Sequence, residues 1–450
     1  MRILVINGSP KGKDSVTLQT VEYLKIKNPG IDFEIIHAGR NIRAYEKDFG
    51  PAIEAIDRAD AVLFSYPVYT FIAPSQLHRF IELMKEHHAP TEGKFATQIT
   101  TSKHFYDITA HRYVMENCQD MGMKFVRGLS ADMDDLTKEK GRREADSFFS
   151  YFMWCMENGH CEPVRPSIPE PARIPAAPAE ETPDKTGDVV IIADYADDDI
   201  QLAGMINRFR SVFSRNTRVI NIREYPFRGG CLGCFQCAST GKCIYKDGFD
   251  DFLRNTIQTA EGVVYAFAIR DHSMGARFKT YDDRQFCNGH RTVTMGTPVG
   301  YLISGSYSHE ENLRMILEGR AEVGGNFFCG VASDETDTDA AIDRLAATMA
   351  YALENGHTQP SNFLGVGDMK IFRDLIYLMQ GMMKADHRFF KAHGQYDFPQ
   401  KKKGTLLAMY LVGWMMSSKT LQKKAGGKMT EGMLMPYKKV LDKVRKEMEK

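Results

Sequence analysis

Three absences narrow the field before any motif is read. The chain has no long apolar run: the longest, Leu406 to Met416, is about half of what a bilayer span requires. It has no excess of either charge, with 58 Lys and Arg against 58 Asp and Glu, so no chain-wide basic field draws it to nucleic acid. It has no export core behind Met1, because Gly8 ends the run Arg2-Ile3-Leu4-Val5-Ile6 far too early. These readings predict a cytoplasmic protein with no transmembrane segment and no nucleic-acid partner.

In a reducing compartment structural disulfides are rare, so clustered cysteines point to metal or redox chemistry. Four of the nine cysteines, Cys231, Cys234, Cys237 and Cys243, fall within thirteen residues. The other five, Cys118, Cys155, Cys161, Cys287 and Cys329, are scattered and read as small buried hydrophobes.

At 450 residues the chain exceeds one core of roughly 100–200 residues, so two or three domains are expected. The clearest seam is 161–187, where seven prolines favour polyproline-type extension and mark a linker. Either side of it the chain repeats itself. RILVIN at 2–7 and DVVIIA at 188–193 are short apolar runs, each followed by a turn and a helical pattern, Thr17 to Leu24 and Ile200 to Phe213. Ala61 to Phe64 and Val263 to Ala266 come next, each behind an acidic amphipathic helix. The first helix starts at Tyr45 and aligns Ile53, Ile56 and Ala59; the second starts at Tyr245 and aligns Phe252, Leu253 and Ile257.

Strand, loop and helix in this alternation predict an α/β protein: two doubly wound parallel-sheet domains in tandem, 1–160 and 188–357. Ligands in such sheets sit beyond the carboxyl ends of the strands. From about 358 the chain turns Met- and Lys-rich, with helical spacing over Met369 to Phe390 and Leu406 to Met416. Residues 401–450 carry 13 Lys or Arg against 4 Asp or Glu, so 358–450 is expected to be a basic helical extension. Its helices either lie on an anionic surface or pack over the two domains and cover the site.

The first strand ends in Asn7-Gly8-Ser9-Pro10-Lys11-Gly12-Lys13-Asp14-Ser15-Val16-Thr17. A phosphate needs close backbone N–H groups, hydroxyls and a helix N-terminus. Gly8 and Gly12 allow close approach, Ser9, Ser15 and Thr17 bring hydroxyls, and Lys11 or Lys13 brings charge. The plain alternative is a βα turn with Ser15 as helix cap. Neither G-x-G-x-x-G nor G-x-x-x-x-G-K-[ST] occurs here. After Phe64 come Tyr66, Pro67, Val68, Tyr69, Thr70 and Phe71, an aromatic loop stiffened by proline that suits a flat isoalloxazine ring. After Ile99 come Thr101, Ser102, His104, Phe105 and Tyr106, again hydroxyls and aromatics at a strand end.

Val5-Ile6-Asn7-Gly8-Ser9-Pro10 with Ser15 and Thr17, then Tyr66-Pro67-Val68-Tyr69 with Pro74-Ser75-Gln76-Leu77, resembles the NADPH-dependent FMN reductase family of flavodoxin-like proteins. The resemblance implies that the first loop holds the FMN phosphate and the next two hold the ring. Where that family often has Asn before its Thr, this chain has Val16.

The cysteines are spaced C-x2-C-x2-C-x5-C. Four thiolates suit a [4Fe–4S] cluster or a tetrahedral zinc, and three cysteines at consecutive x2 spacings favour the cluster. A metal-free structural role stays open, because related flavodoxin-like reductases share a Gly-Cys-x-Gly-Cys stretch with fewer cysteines. With Ile244-Tyr245-Lys246-Asp247 behind it, the segment is similar to iron–sulfur flavoproteins of anaerobic microbes, which implies a [4Fe–4S] cluster beside FMN at a subunit contact.

The halves lack opposite parts. The first has Ala38 to Ala44 where the second has thiols; the second has Asp194, Asp197, Asp198 and Asp199 where the first has its phosphate loop, and carboxylates repel phosphate. The expectation is a tandem duplication packed as an internal pseudo-dimer, or a homo-oligomer. It would be an FMN-containing oxidoreductase passing electrons to a small molecule or a protein such as ferredoxin. The alternatives are an NAD(P)H-dependent FMN or quinone reductase with structural thiols, and an electron carrier or redox sensor. Use of NAD(P)H follows from the resemblance alone. No catalytic residue is assigned; Tyr69 and His104 are the candidates for a proton donor beside the ring.

Overall fold

Burial alternates along the opening strand and sets the layers. Leu4 and Ile6 of β1 (Arg2–Asn7) enter one hydrophobic cluster and Ile3 and Val5 enter another, because successive strand side chains face opposite ways. This computed structural model describes residues 1–166, 168–416, 434–435 and 437–449.

The first half continues with α1 (Val16–Lys27), β2 (Asp32–Ile36), α2 (Ile42–Tyr45), α3 (Gly50–Arg58), β3 (Ala61–Pro67) and α4 (Ser75–Glu86). Then come β4 (Phe95–Ser102), α5 (Asp107–Asp120), β5 (Lys124–Phe125), β6 (Leu129–Asp132) and α6 (Glu139–Asn158). The second half holds β7 (Thr186–Asp194), α7 (Ile200–Val212), β8 (Arg215–Asn221), α8 (Gln236–Thr240), α9 (Phe249–Phe252) and β9 (Gly262–Ala268). It ends with α10 (Gly275–Arg284), β10 (Pro298–Ser304), α11 (Glu311–Gly324), β11 (Phe327–Ser333) and α12 (Thr338–Asn355).

Both sheets are parallel throughout. The first runs β2-β1-β3-β4-β5, with β6 also on β4, and the second runs β8-β7-β9-β10-β11. Counted within each half, both are the 2-1-3-4-5 order of flavodoxin-like folds, whose ligand crevice lies beyond the strand ends where the order reverses. Outer faces pack separately: Ile3 and Val5 with α1 and α6, and Val189 and Ile191 with α7 and α12. The inner faces share one cluster, which joins Leu4, Ile6 and Phe64 to Val190, Ile192 and Phe267.

The halves meet reciprocally. At the start of α4 the Ser75 N–H donates to Asp283 Oδ2 of α10 (2.8 Å), and at the start of α10 the Ala276 N–H donates to Glu82 Oε1 of α4 (2.7 Å). Ser75 and Ala276 are 201 positions apart, as are Glu82 and Asp283. Each helix N-terminus thus takes a carboxylate from its counterpart, the pattern of an isologous two-fold contact.

Some expected boundaries move. β3 runs on past Phe64 because Ser65, Tyr66 and Pro67 pair with Ile99, Thr100 and Thr101 of β4. The two acidic helices are broken, into α2 and α3, and into α9 and a π-helical turn Leu253–Ile257. The proline-rich 161–187 segment has no helix, and no strand before Thr186, among its described residues. It is tied down nonetheless: Arg173 binds Asp334 through two nitrogens (2.8 and 2.6 Å) and the Ile174 N–H donates to Asp334 O (2.7 Å).

Met1–Phe390 forms one compact unit and Lys391–Lys450 a second. The expected helical spacing from Met369 onward resolves into α13 (Phe363–Leu378) and α14 (Lys384–Ala392), and the Leu406 to Met416 spacing into α15 (Lys403–Met416). Residues 417–433 of the expected basic extension lie outside the described residues. No helix among the described residues is long and apolar enough to cross a membrane.

Candidate functional site

The loop after β1 is fixed from within. Asn7 Nδ2 donates to Gly12 O (2.8 Å) while its Oδ1 accepts the Ser9 N–H (3.1 Å). Gly8 donates to Ser65 O (2.9 Å), and a Cβ on Gly8 would meet the Leu77 side chain at 2.7 Å. Ser15 occupies the N-cap of α1, yet its side chain makes no capping bond. It lines a cavity instead, together with Ser9, Lys11, Val16 and Thr17. The Thr17 hydroxyl is tied to the Thr101 hydroxyl of β4 (2.6 Å), and the neighbouring Ser102 Oγ is buried without a partner.

The loop after β3 forms the next wall with Pro67, Val68, Tyr69 and Thr70. Thr70 and Phe71 hold positive φ angles of 42° and 75°, strained for residues with a Cβ. Lys279 of α10 pins them, donating to Tyr69 O (3.0 Å) and Thr70 Oγ1 (2.9 Å). Burial pushes the Tyr69 hydroxyl well above its ordinary pKa, with Cys231 and Asp283 adding to it.

The opposite wall comes from the second half. Cys231, Cys234, Cys237 and Cys243 all line this cavity. Their loop docks on the first half: Gln76 Nε2 donates to Cys231 O (3.2 Å), and Lys11 Nζ lies 5.8 Å from the Phe235 ring centroid. Gly233, at φ +60°, faces the Tyr69 hydroxyl so closely that any Cβ would overlap it. Arg284 clamps the loop from below, donating to Gly229 O (3.0 Å) and to both oxygens of Asp247 (2.8 Å each), with its guanidinium 4.3 Å from the Tyr245 ring centroid. Burial, then Asp386, raises the Cys237 thiol to about 11, and burial raises Cys231 as well.

Residues 1–134 match the family of NADPH-dependent FMN reductases. They belong to it. A curated relative, the iron–sulfur flavoprotein of Archaeoglobus fulgidus, is 28% identical over 177 residues, covering 36% of this chain and 78% of that one. Two solved structures are similar. An NADH:FMN oxidoreductase in its apo form has 18% identity and a TM-score of 0.30, covering 34% of this chain and 88% of that chain. General stress protein 14 of Treponema denticola, in complex with FMN, has 10% identity and a TM-score of 0.28, covering 34% and 99%.

The first half fits a flavin phosphate and ring edge by its own chemistry: an uncommitted Ser15 hydroxyl at a helix N-terminus, a buried unpartnered Ser102 hydroxyl, and Lys11. The four thiols on the facing wall are the donor set that an iron–sulfur cluster or a tetrahedral zinc takes.

Of the residues expected in the FMN site, Phe105 joins those already named on the cavity wall, while Gly8, Pro10, Tyr66, Phe71, His104 and Tyr106 do not line it. Gly8 and Pro10 are buried in the loop's support. Tyr66 is a strand residue whose hydroxyl bonds Gln98 Oε1 (2.6 Å) and Ala110 O (2.9 Å) in the core. Phe71 and Tyr106 pack on each other at 4.2 Å. His104 is half exposed and bonded to Asp107 (2.9 Å), so of the two proton-donor candidates Tyr69 alone lines the cavity.

Sequence reasoning passed over three contributors. Cys287, read as a scattered hydrophobe, is buried but faces this cavity, and Cys161 is exposed. His290 lines it too, its Nδ1 held by the fully buried Asp386 at 2.9 Å. Ile371, Phe372 and Leu375 of α13 close it, with the Phe372 ring tilted 4.8 Å from Phe105 and edge-on 4.9 Å from His290. A Cys-Asn-Gly-His segment between two strands was the only available signal, and α13 offered none.

Proposed function

We propose that this chain is an oxidoreductase that takes reducing equivalents from NAD(P)H on FMN bound by residues 1–160. It hands single electrons, through a [4Fe–4S] cluster on Cys231, Cys234, Cys237 and Cys243 of residues 188–357, to a small-molecule or protein acceptor of ferredoxin type in a reducing cytoplasm. The observation that carries this reading is that Ser9, Ser15 and Thr17 share one cavity with all four thiols. When bound, FMN supplies hydride and one-electron chemistry and the cluster one-electron chemistry.

The chain's own residues divide the remaining work. The α1 N-terminus with Ser15, Thr17 and Lys11 holds the phosphate, and Ser102 with the Pro67 to Thr70 loop holds the ring edge. Arg284, buried under the cysteine loop, keeps it closed and sets positive charge beside the thiolates. Ile371, Phe372 and Leu375 exclude water from the flavin side. His290, with Nδ1 fixed by Asp386, holds and moves a proton at Nε2.

Anaerobic purification followed by quantitation of FMN, iron and sulfide tests the reading. Expected are a single FMN and about four irons per chain, the complement of a single cubane, with a visible absorbance beyond the flavin's own that bleaches on reduction. Colourless protein that refuses added FMN, or two FMN per chain, overturns it.

A further inference from the structure

A second group of ionisable side chains lies outside that cavity, where α5 of the first half meets the β9–α10 loop and the start of α11. Carboxylate oxygens of Glu116 and Glu310 and a ring nitrogen of His272 lie within 4.8 Å of one another. His272 Nδ1 is 3.0 Å from Glu310 Oε1, and its Nε2 is 2.9 Å from Asp120 Oδ2. The Glu116 side chain is 6% exposed; Arg165 lies 3.2 Å from its Oε1, while Oε2 is buried with no hydrogen-bond partner. A buried carboxylate oxygen left in this way is expensive unless a cation or donor meets it.

The two-fold-related position shows what packing alone would have used. Phe71 corresponds to His272, 201 positions on. Tyr106 and Glu310 immediately precede α5 and α11, and Glu116 and Arg320 are each the tenth residue of those helices. In one copy Arg320 lies 5.4 Å from the Phe71 ring centroid, and Phe71 packs on Tyr106 at 4.2 Å. In the other copy the same three positions carry an imidazole and two carboxylates.

We propose that Glu116, His272 and Glu310 bind a divalent metal cation at the seam between the halves. One nitrogen and two oxygen donors suit Mn2+, Fe2+ or Zn2+, and the two carboxylates neutralise the dication. Asp120, on Nε2, is the outer partner that fixes the ring so that Nδ1 is the ligand.

The test is Mn2+ titration of the anaerobically purified full chain, followed by the electron-spin signal of free Mn2+. Mn2+ prefers oxygen and nitrogen donors, so the thiols do not compete for it. Expected is a single saturable site, weakened at least tenfold in Glu310→Gln and in Glu116→Gln at unchanged FMN content, with the wild type melting higher in Mn2+. If either variant fails to fold, the wild-type titration and the other variant decide. A wild type without a saturable site, or a site untouched by the substitutions, overturns the proposal and leaves an imidazolium ion pair. Neither result depends on the flavin reading.

Discussion

The two halves share a topology and have diverged in opposite directions. In the first, the loop after the opening strand leaves Ser15 uncommitted and aims it into a cavity. In the second, the equivalent loop spends its polar groups internally: Asp194 pairs with Arg223 (2.8 Å) and Asp199 caps α7 through the Leu202 N–H (3.3 Å). The first half has no thiol between Ala38 and Ala44, where the second builds its cysteine loop. In a two-fold dimer each subunit lends a loop to its neighbour's site, so two composite sites form. Once the subunits are fused, each copy can discard the parts used at one of the two sites. What remains is one shared cavity, lined by the loops after β1, β3 and β4 of the first half and by the thiols of the second.

The largest expected effect separates those contributions. Cys231→Ser should abolish bound iron while leaving FMN content near that of the wild type; iron and flavin assays on the same sample check it. Joint loss of both would mean that the halves do not contribute separately. Next is the clamp. Arg284→Met strands the buried Asp247 carboxylate and should cost about 3–5 kcal/mol in chemical denaturation. Burial disfavours the Asp247 carboxylate, but Arg284 outweighs it and holds its pKa at about 2. A depressed carboxyl stabilises the fold above its unfolded value of about 3.9, and that contribution is lost as pH falls toward 2. The wild type should therefore lose this share between about pH 4 and pH 2, whereas the variant shows no such step there.

Ser15→Asp makes the first loop resemble the second. A carboxylate about 4 Å from a phosphate in a partly buried site opposes it by a few kcal/mol. FMN affinity, read by fluorescence titration of flavin-free protein, should fall about a hundredfold, or roughly 2.7 kcal/mol. An unchanged affinity would remove Ser15 from the phosphate site.

The parallel sheets and their shared strand order were legible because hydrophobic runs, turns and helical patterns recur in step on both sides of the prolines. That the loops after β1 and β3 share a cavity with the thiols was legible from complementary losses. Tyr66 misled because pairing with β4 carries β3 past Phe64, and strand ends are set by a neighbour that local sequence does not reveal. His104 misled because a hydroxyl-aromatic stretch says nothing about which side chain turns inward. Phe372 and Asp386 were out of reach for another reason. Phe372 arrives from a helix 267 residues after Phe105 and Asp386 from one 96 residues after His290, and only tertiary packing brings them there.

The smallest effect tests the seam itself. Glu82 and Asp283 are symmetric in position but not in surroundings. Glu82 keeps a partly exposed side chain and an ion pair to Arg79 (3.0 Å), whereas Asp283 is fully buried and also takes Lys279 and the Thr70 hydroxyl. Glu82→Gln retains an oxygen for the Ala276 N–H and should cost about 1 kcal/mol or less, the scale of one cap. Asp283→Asn removes charge from a buried ammonium that retains only Asp282 (3.2 Å), and should cost two to three times as much. Denaturant midpoints of the two variants at equal slope decide it. Equal costs would mean that the seam is still used symmetrically; the unequal result places the burden on the side that pins Tyr69 and Thr70 at the cavity wall.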